Sequence, residues 1–332
     1  MALNIVTSVQ PIKVENIITF IYGDPGIGKT SLAFSANNAV LFDFDGGAHR
    51  AGKFRKSDTV PIGNWNEVAR LNANDFAKYD TIVIDTAGRC LDMITATLKG
   101  DSKNTRRDGQ LTMQGYGKLG AMFADWLKTL RSFKKDIIIL AHASEDKDGD
   151  NIIKRPDMVG GSKKEAYKIA DMMGYMTVQD GNNGTIRRLN FIPSTAYLAK
   201  DSGSIGNITI GSLDDAPNQM ADIIHATKQH INSLSAEMAK AQKDLDDIRV
   251  EMMDIENAEH INTLIEGLKP QHPMYKQMKT DIWNAAKKLD HIEFDNHEKR
   301  FVDVVKEVES LADSLADNEA DEADEGVIED AT

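Results

Sequence analysis

The sequence has little of what marks a secreted, membrane-spanning or metal-cluster protein. Of its 332 residues, one is a cysteine, Cys90. A lone cysteine cannot form an internal disulfide or a thiolate metal cluster, so we expect Cys90 to pack in a core under reducing conditions. The first ten residues have no basic stretch that leads into an apolar one, and no uninterrupted apolar run reaches about 18 residues. We therefore expect a cytoplasmic protein that does not bind membranes.

Basic residues are also scarcer than acidic ones, which at first argues against a nucleic-acid partner. The net charge is −13. Residues 307–332, however, hold eleven acidic and no basic side chains, and the preceding residues hold 41 acidic against 39 basic ones. The body of the chain is thus nearly neutral, and the acidic tail has too few apolar residues to offset the entropy cost of ordering. Net charge therefore does not exclude a nucleic-acid partner.

Short apolar segments alternate with helical patterns along the first two hundred residues. Strands are predicted at residues 17–22, 39–44, 81–84 and 136–141, followed by an antiparallel pair near 175–179 and 185–192. Helices are predicted at residues 29–37, 65–71 and 117–133, the last with a core-facing apolar stripe. This order predicts an α/β fold with a central, mostly parallel sheet whose inner strands are buried on both faces.

After about residue 211 the residue pattern changes to one that predicts continuous helix. Apolar residues recur there at alternating steps of three and four, at Ile231, Leu234, Met238, Ala241, Leu245, Ile248, Met252 and Ile255. This heptad seam is typical of a coiled coil, and it could either form a dimer or fold back onto the helices that follow. We predict an N-terminal segment (1–15), an α/β core (16–212), a helical region (213–306) and a disordered acidic tail (307–332).

The motif that identifies the core as an ATPase is Gly23-Asp-Pro-Gly-Ile-Gly-Lys29-Thr30, which fits the pattern G-x-x-x-x-G-K-[ST]. Glycines let the backbone amides face a phosphate, the lysine reaches the β and γ phosphates, and the Thr30 hydroxyl binds Mg²⁺. A predicted strand precedes the motif and a helix follows it, as a P-loop requires. The predicted nucleotide-binding residues are Gly23, Asp24, Pro25, Gly26, Ile27, Gly28, Lys29, Thr30 and Ser31.

A second apolar strand, Asp80-Thr-Ile-Val-Ile-Asp85, ends in a carboxylate. In a P-loop fold such an aspartate lies beside the phosphate loop and holds Mg²⁺, so Thr30 and Asp85 are the predicted metal residues. The following letters, Asp85-Thr-Ala-Gly88-Arg89, resemble a GTPase switch motif. A GTPase also needs an Asn/Thr-Lys-x-Asp tetrad, and the nearest match, Thr227-Lys-Gln-His230, lacks the acid. ATP is therefore the predicted nucleotide, and Gly88 is expected to start a helix.

Two further strands end in polar residues at the edge of the sheet where α/β sites gather. Asp43 and Asp45 share one face of a strand. We predict that Asp45 orients the water that attacks ATP, with Asp43 as its support or rival. His142 directly follows another strand and is the predicted γ-phosphate sensor. The alternatives are a helix cap or a turn residue for each aspartate and a structural role for the histidine.

These elements, each on its own strand, resemble the RecA-like ATPase core, and more closely the phage-encoded RecA-like ATP-binding proteins of the Sak group of short recombinases. The resemblance covers residues 15–205 and rests on 23–30, 41–45, 111–117, 139–142 and 197–201. It implies ATPase activity, single-stranded DNA binding and assembly of protomers around the nucleotide, in a bacterial host cytoplasm. An aspartate replaces the glutamate of RecA's acid pair and a histidine replaces its glutamine sensor, which puts vigorous strand exchange in doubt.

The resemblance also implies DNA contacts in two polar stretches, residues 99–117 and 144–162, which we expect to be long loops. Their cations would neutralise phosphates, and an aromatic side chain could stack a base. The candidate DNA-binding residues are Lys103, Arg106, Arg107, Tyr116, Lys154, Arg155, Lys163 and Lys164. A cation from a neighbouring subunit can complete a RecA-like ATP site, and Lys200 is the candidate, with Arg187 and Arg188 as competitors.

The predicted function is therefore a DNA-stimulated ATPase that uses ATP and Mg²⁺ to anneal or pair homologous strands in phage recombination. Single-stranded DNA and further copies of the chain, in a filament or ring, are the expected partners, and a single-strand binding protein is another candidate. The acidic tail resembles those of recombinases and is expected to compete with DNA. Two alternatives are a motor or loader ATPase for unwinding, packaging or remodelling, and a nucleotide-gated interaction protein.

Overall fold

A computed structural model of the chain describes residues 3, 5–148, 151–159, 161–181, 184–251, 263–264 and 266–286. The chain divides into one compact unit, Lys13–Asn232, and a second formed by Met1–Ile12 with Ser233–Thr332. The domain limits at residues 15, 212 and 306 stay predictions, and the acidic tail lies outside the described residues. Within those residues, no helix combines the length and the apolarity needed to cross a membrane.

Ten strands form the sheet structure of the larger unit. They are β1 Ile18–Gly23, β2 Ala39–Asp43, β3 Asp58–Pro61, β4 Thr81–Asp85, β5 Asp136–Asp148, β6 Asn151–Pro156, β7 Met172–Gly181, β8 Gly184–Asn190, β9 Lys200–Asp201 and β10 Ile208–Ile210. The helices are α1 Lys29–Ala33, α2 Ala87–Lys99, α3 Met113–Ser132, α4 Ser162–Ile169, α5 Gln219–Glu251 and α6 Tyr275–Ala286.

The strand order is β10-β8-β7-β1-β5-β4-β2-β3, with β6 paired to β5 and β9 paired to β7. The run β7-β1-β5-β4-β2-β3 is parallel, whereas β7, β8 and β10 pair antiparallel. Strand β5 therefore lies between the strand that leads into the P-loop and the strand that ends at Asp85. This confirms the predicted α/β fold with a central, mostly parallel sheet.

Two hydrophobic clusters cover the two faces of the sheet, because successive side chains of a strand point to opposite faces. On β1, Phe20 and Tyr22 join a cluster with helices α2 and α3, whereas Ile21 joins one with α1 and the start of α5. The α3 stripe is buried as predicted, at Leu119, Phe123, Trp126, Leu127 and Leu130. Cys90 is free and fully buried in the first cluster, which confirms its packing role.

Two local predictions were wrong, and the length of a third predicted element was too great. Residues 65–71 do not form an α-helix, because Asn64 caps a 3-10 turn, Trp65–Glu67, and Asn72 caps another, Ala73–Phe76. The stretch 144–162 is not a long loop, because β5 continues to Asp148 and pairs antiparallel with β6 from Ala143↔Pro156 to Asp148↔Asn151. The stretch 99–117 is a shorter loop than predicted, since α2 reaches Lys99 and α3 begins at Met113. The second candidate DNA-binding stretch, residues 144–162, is thus mostly a β-hairpin.

Helix α5 is continuous over the part of the heptad seam that the structure describes. Ala241 and Leu245 are buried, whereas Leu234 and Met238 are each 47% exposed. Met252 and Ile255, and the part of the predicted helical region (213–306) after residue 286, lie outside the described residues. The seam is therefore partly covered, and its role in dimers stays a prediction.

Candidate functional site

The P-loop connects β1 to α1 in the conformation that its glycines allow. Gly26 and Gly28 have φ of 77° and 101°, in the left-handed region that disfavours residues with a Cβ atom. Gly28 directly precedes α1. A Cβ atom at Gly23 would lie 2.5 Å from the carbonyl oxygen of Met176, so the loop also starts where β1 and β7 approach closely. The chain thus forms the strand–loop–helix arrangement that the motif predicts.

Lys29 lies under this loop with its ammonium group turned back towards the loop backbone. Its Nζ atom donates hydrogen bonds to the carbonyl oxygens of Gly23 and Asp24, each at 2.9 Å. Burial lowers the pKa of Lys29 to about 8, and the carboxylates of Asp85, Asp24 and Asp45 oppose that shift. The site therefore holds a buried cation without a buried partner charge in direct contact, which an anionic ligand would stabilise.

Thr30 and Asp85 meet as the magnesium prediction requires. The Thr30 hydroxyl donates to Asp85 Oδ2 at 2.7 Å, and burial raises the pKa of Asp85 to about 6, an effect that the Thr30 hydrogen bond opposes. No group of three or more His, Cys, Asp or Glu side chains among the described residues could hold a metal. One hydroxyl and one carboxylate suit Mg²⁺, which commonly takes its other ligands from phosphates and water.

A cavity of about 490 Å³ opens above these residues, within the size range of small-molecule sites. It brings together residues from the P-loop and from the ends of β2, β4 and β5. The lining residues are Pro25, Gly26, Gly28, Lys29, Thr30, Ser31, Asp45, Gly47, Arg50, Ala51, Asp85, Thr86 and His142. Four of the five predicted catalytic residues, Lys29, Asp45, Asp85 and His142, therefore share one cavity.

The two aspartates after β2 have different surroundings. Both oxygens of the buried Asp43 accept backbone hydrogen bonds at 2.9 Å, from the amides of Gly47 and Ala48. Asp45 instead points into the cavity. Asp43 therefore supports the turn that carries Asp45.

We predict that Asp43→Ala lowers the free energy of unfolding by about 3 kcal/mol, because two buried amides lose a charged acceptor. Urea denaturation of the nucleotide-free protein measures this. Asp125→Ala is the matched control, since Asp125 is 73% exposed and pairs only with Lys128 on the same helix. The control is expected to change stability by less than about 0.5 kcal/mol. Equal losses in both variants would contradict the turn-supporting role.

His142 lies at the end of β5 that faces the P-loop, in register with Gly23. Its Nδ1 atom is buried and has no hydrogen-bond partner among the described residues. Burial first, and then the charge of Lys29, lower the pKa of the ring. A neutral imidazole with a free nitrogen at the cavity can donate to or accept from a ligand, so the sensor role stays a supported prediction.

Two arginines that the sequence analysis did not select both contact Asp45. Arg50 belongs to a 3-10 segment, Ala48–Phe54, and Arg89 to the first turn of α2. Thr86 caps α2 through a hydrogen bond from the Arg89 amide, so Gly88 lies in a helix start as predicted. The sequence signal for Arg89 was the Asp85-Thr-Ala-Gly88-Arg89 motif itself, which places a cation four residues after Asp85, the predicted magnesium residue.

The cations proposed to act between subunits lie in different places. Lys200 is on β9, where its Nζ atom donates to the Ala170 carbonyl at 2.6 Å, and it does not line the cavity. Arg187 is on β8, and its Nε atom donates to the carbonyl oxygen of Ile27 in the P-loop at 2.9 Å. Arg187 therefore contacts the P-loop of its own chain. Whether Lys200 acts on a neighbour stays a prediction.

The candidate DNA-binding cations fall into two groups. Lys103, Arg106 and Arg107 are exposed and form no ion pair with another described residue, and Tyr116 on α3 is 38% exposed. In the second group, by contrast, most cations are paired with acids: Lys154 of the hairpin with Glu145, and both Arg155 of the hairpin and Lys163 of α4 with Asp146. Lys164 is exposed. The first group thus offers more free positive charge than the second.

A tyrosine links the strand before the P-loop to this hairpin. The Tyr22 hydroxyl lies 3.1 Å from the Lys154 carbonyl oxygen and 2.7 Å from that of Leu198. The Tyr22 ring stacks on Tyr175, which packs in turn against Tyr197. The strand that precedes the P-loop and the β5–β6 hairpin are thus joined by a direct contact through Tyr22.

Comparison with known proteins gives one family match. A protein-family model described as an AAA domain matches residues 15–202, more than half of the chain. A search of curated proteins found no match. Among solved structures, the flagellar accessory protein FlaH from Methanocaldococcus jannaschii is 13% identical with a TM-score of 0.31, covering 62% of this chain and 94% of that one. A KaiC-like protein from Pyrococcus horikoshii is 14% identical with a TM-score of 0.34, covering 60% and 91%.

Proposed function

Because this chain belongs to the AAA domain family, we propose that its cavity binds and hydrolyses MgATP, and that the ATP controls a grip on single-stranded DNA. The further role that we propose is annealing or pairing of homologous strands in phage DNA recombination. The observation that carries the proposal is the single cavity shared by the P-loop, Asp45, Asp85 and His142.

Each cavity residue has a distinct task in this proposal. Lys29 and the P-loop amides bind the β and γ phosphates, and Thr30 and Asp85 would hold Mg²⁺, which supplies neutralisation of phosphate charge. Asp45 orients the attacking water. His142 contacts the terminal phosphate. Strand β5 continues from His142 into the β5–β6 hairpin, so loss of that phosphate changes the hairpin through β5 and the Tyr22 contact.

Two features support DNA as the partner. The loop before α3 holds three exposed cations, Lys103, Arg106 and Arg107, that form no ion pair with another described residue, and Tyr116 lies nearby in the sequence. Cations release counterions from phosphates, which gives affinity that does not depend on base sequence, and an exposed tyrosine can stack on a base. The sequence resemblance to Sak-type recombinases supports the same partner.

We predict that replacing Lys103, Arg106 and Arg107 together by glutamine weakens single-stranded DNA binding about 10-fold or more. The slope of log affinity against log salt should also fall by about 2, since each lost phosphate contact contributes about 0.7. Fluorescence anisotropy with labelled oligothymidylate and ATP measures both. The matched control removes three exposed cations elsewhere, Lys56, Arg70 and Lys134, and should leave the slope within about 0.5. Equal changes in both triple variants would contradict the assignment.

Strand annealing distinguishes the proposal from the two alternatives. An annealing protein accelerates pairing of complementary strands with ATP and does not unwind a duplex. Unwinding would favour a motor, and absence of any DNA effect would favour a nucleotide-gated interaction protein.

We also propose that protomers assemble around the nucleotide, with the neighbour's Lys200 as the candidate cation. The support is that Lys200 lies outside the cavity of its own chain. Sedimentation with and without ATP tests the assembly, and a monomer under all conditions would contradict it.

A further inference from the structure

Asp45 is held by two arginines from two different elements. Its Oδ2 atom accepts from Arg50 Nη2 at 2.7 Å, and its Oδ1 atom lies 3.4 Å from Arg89 Nε. Arg89 also contacts Asp92 at 3.0 Å. A carboxylate that binds two guanidinium groups is poorly suited to polarise water, because both oxygens already accept from cations. Asp45 therefore needs to lose at least one of these contacts before it can serve hydrolysis.

The two arginines differ in what they can reach. Arg50 lines the cavity together with Lys29, Asp85 and His142, whereas Arg89 does not. The Arg50 side chain is 65% exposed, so moving it breaks little packing. Arg89 is tied to α2 through Asp92 as well as to Asp45. Arg50 is thus the partner that can leave Asp45 for a bound ligand.

The turn that carries Asp45 is shaped around the Arg50 side chain. A Cβ atom at Gly47 would lie 1.9 Å from Arg50 Nη2 and 2.8 Å from its Cζ atom. Gly47 itself has φ of −105°, which any residue adopts, so its backbone conformation does not require glycine. The absent side chain at position 47 leaves the room in which the guanidinium group reaches Asp45.

Resting on the proposed ATPase function, we propose that Arg50 is a further catalytic residue, a cation of the same chain that leaves Asp45 to bind the terminal phosphate of ATP. A guanidinium group binds the oxygens of a phosphate in the same bidentate way in which it binds those of a carboxylate. The exchange therefore replaces Asp45, one strong partner of Arg50, by the terminal phosphate, another strong partner. The exchange frees Asp45 Oδ2 for the attacking water, while Arg89 keeps the carboxylate in place. ADP lacks the terminal phosphate, so Arg50 stays on Asp45 when ADP is bound.

Equilibrium binding of ADP and of a non-hydrolysable ATP analogue, both with Mg²⁺, tests this exchange without a turnover step. Arg50→Gln is expected to weaken analogue binding about 10-fold or more and ADP binding less than about 3-fold. Arg50→Lys should be intermediate, because a point charge replaces a planar fork. Asp45→Asn should strengthen analogue binding several-fold without changing ADP binding, since Arg50 no longer has to leave a carboxylate.

Two further variants separate this role from a structural one. Gly47→Ala pushes Arg50 off Asp45 and should also strengthen analogue binding relative to ADP. Arg89→Gln should leave the ratio of analogue to ADP affinity within about 2-fold. Equal weakening of both nucleotides by Arg50→Gln, or an unchanged analogue affinity in Asp45→Asn, would overturn the exchange and leave the ATPase proposal intact. Failure of the unaltered protein to bind either nucleotide would overturn both.

Discussion

Lys29→Ala is expected to lower ATP turnover by at least about 100-fold. The ammonium group is the charge that the P-loop aims at the phosphates, and removing one such preorganised electrostatic contact commonly costs 100- to 1,000-fold. Among the described residues, Lys29 Nζ donates only to backbone carbonyl oxygens and belongs to no side-chain ion pair that would hold the fold together. Phosphate release under steady-state conditions measures the change.

Lys78→Ala is the control for this substitution. Lys78 is an exposed lysine that pairs with Asp58, away from the cavity residues. Its removal should leave turnover unchanged, and a thermal melt should show both variants folded. Retention of a third or more of the turnover by a folded Lys29→Ala protein would place hydrolysis somewhere other than this cavity.

The second large expected effect is an increase in the stability of the folded protein on substitution of Asp85. Asp85→Asn is expected to raise the free energy of unfolding of the nucleotide-free protein by about 3 kcal/mol at neutral pH, while it abolishes Mg²⁺-dependent turnover. Burial raises the pKa of Asp85 from 3.8 to about 6, so the charged form destabilises the folded state. An asparagine keeps an oxygen that accepts from the Thr30 hydroxyl but carries no charge.

The pH dependence of this gain follows from the direction of the shift. Below about pH 3.8 the carboxyl group is protonated in both the folded and the unfolded chain, so the two proteins should be equally stable. The advantage of the variant should grow as the pH rises from 3.8 to about 6 and stay constant above it. Urea denaturation at several pH values measures this. A stability difference that does not change with pH would mean that the buried charge is not its cause.

The sequence predicted the parts of the site that depend on local patterns. The P-loop, the strand that ends at Asp85 and the strand that delivers His142 each carry their signal within a few consecutive residues, because glycine spacing and apolar runs are local properties. Parallel strands then bring their carboxyl ends to one edge, so the shared cavity follows from the topology.

Other features could not be predicted because they depend on contacts between distant residues. Arg89 contacts Asp45 across 44 residues, and Arg187 contacts the P-loop across 160. The β5–β6 hairpin was missed because its strands are rich in charged residues, whose pairing with each other, as in Lys154 with Glu145, appears only once the strands are in register. Asp43 could be either a support or a rival of Asp45 from the sequence, and its hydrogen bonds to the amides of the following turn appear only in the structure.

The central claim, an ATPase that responds to single-stranded DNA, is tested most directly by ATP turnover with and without oligothymidylate. The Lys29→Ala protein, measured in parallel, gives the background. Saturating single-stranded DNA is expected to raise the turnover of the unaltered protein several-fold and to leave that of Lys29→Ala at background. Equal turnover with and without DNA, well above the Lys29→Ala background, would contradict the claim that this ATPase acts on DNA.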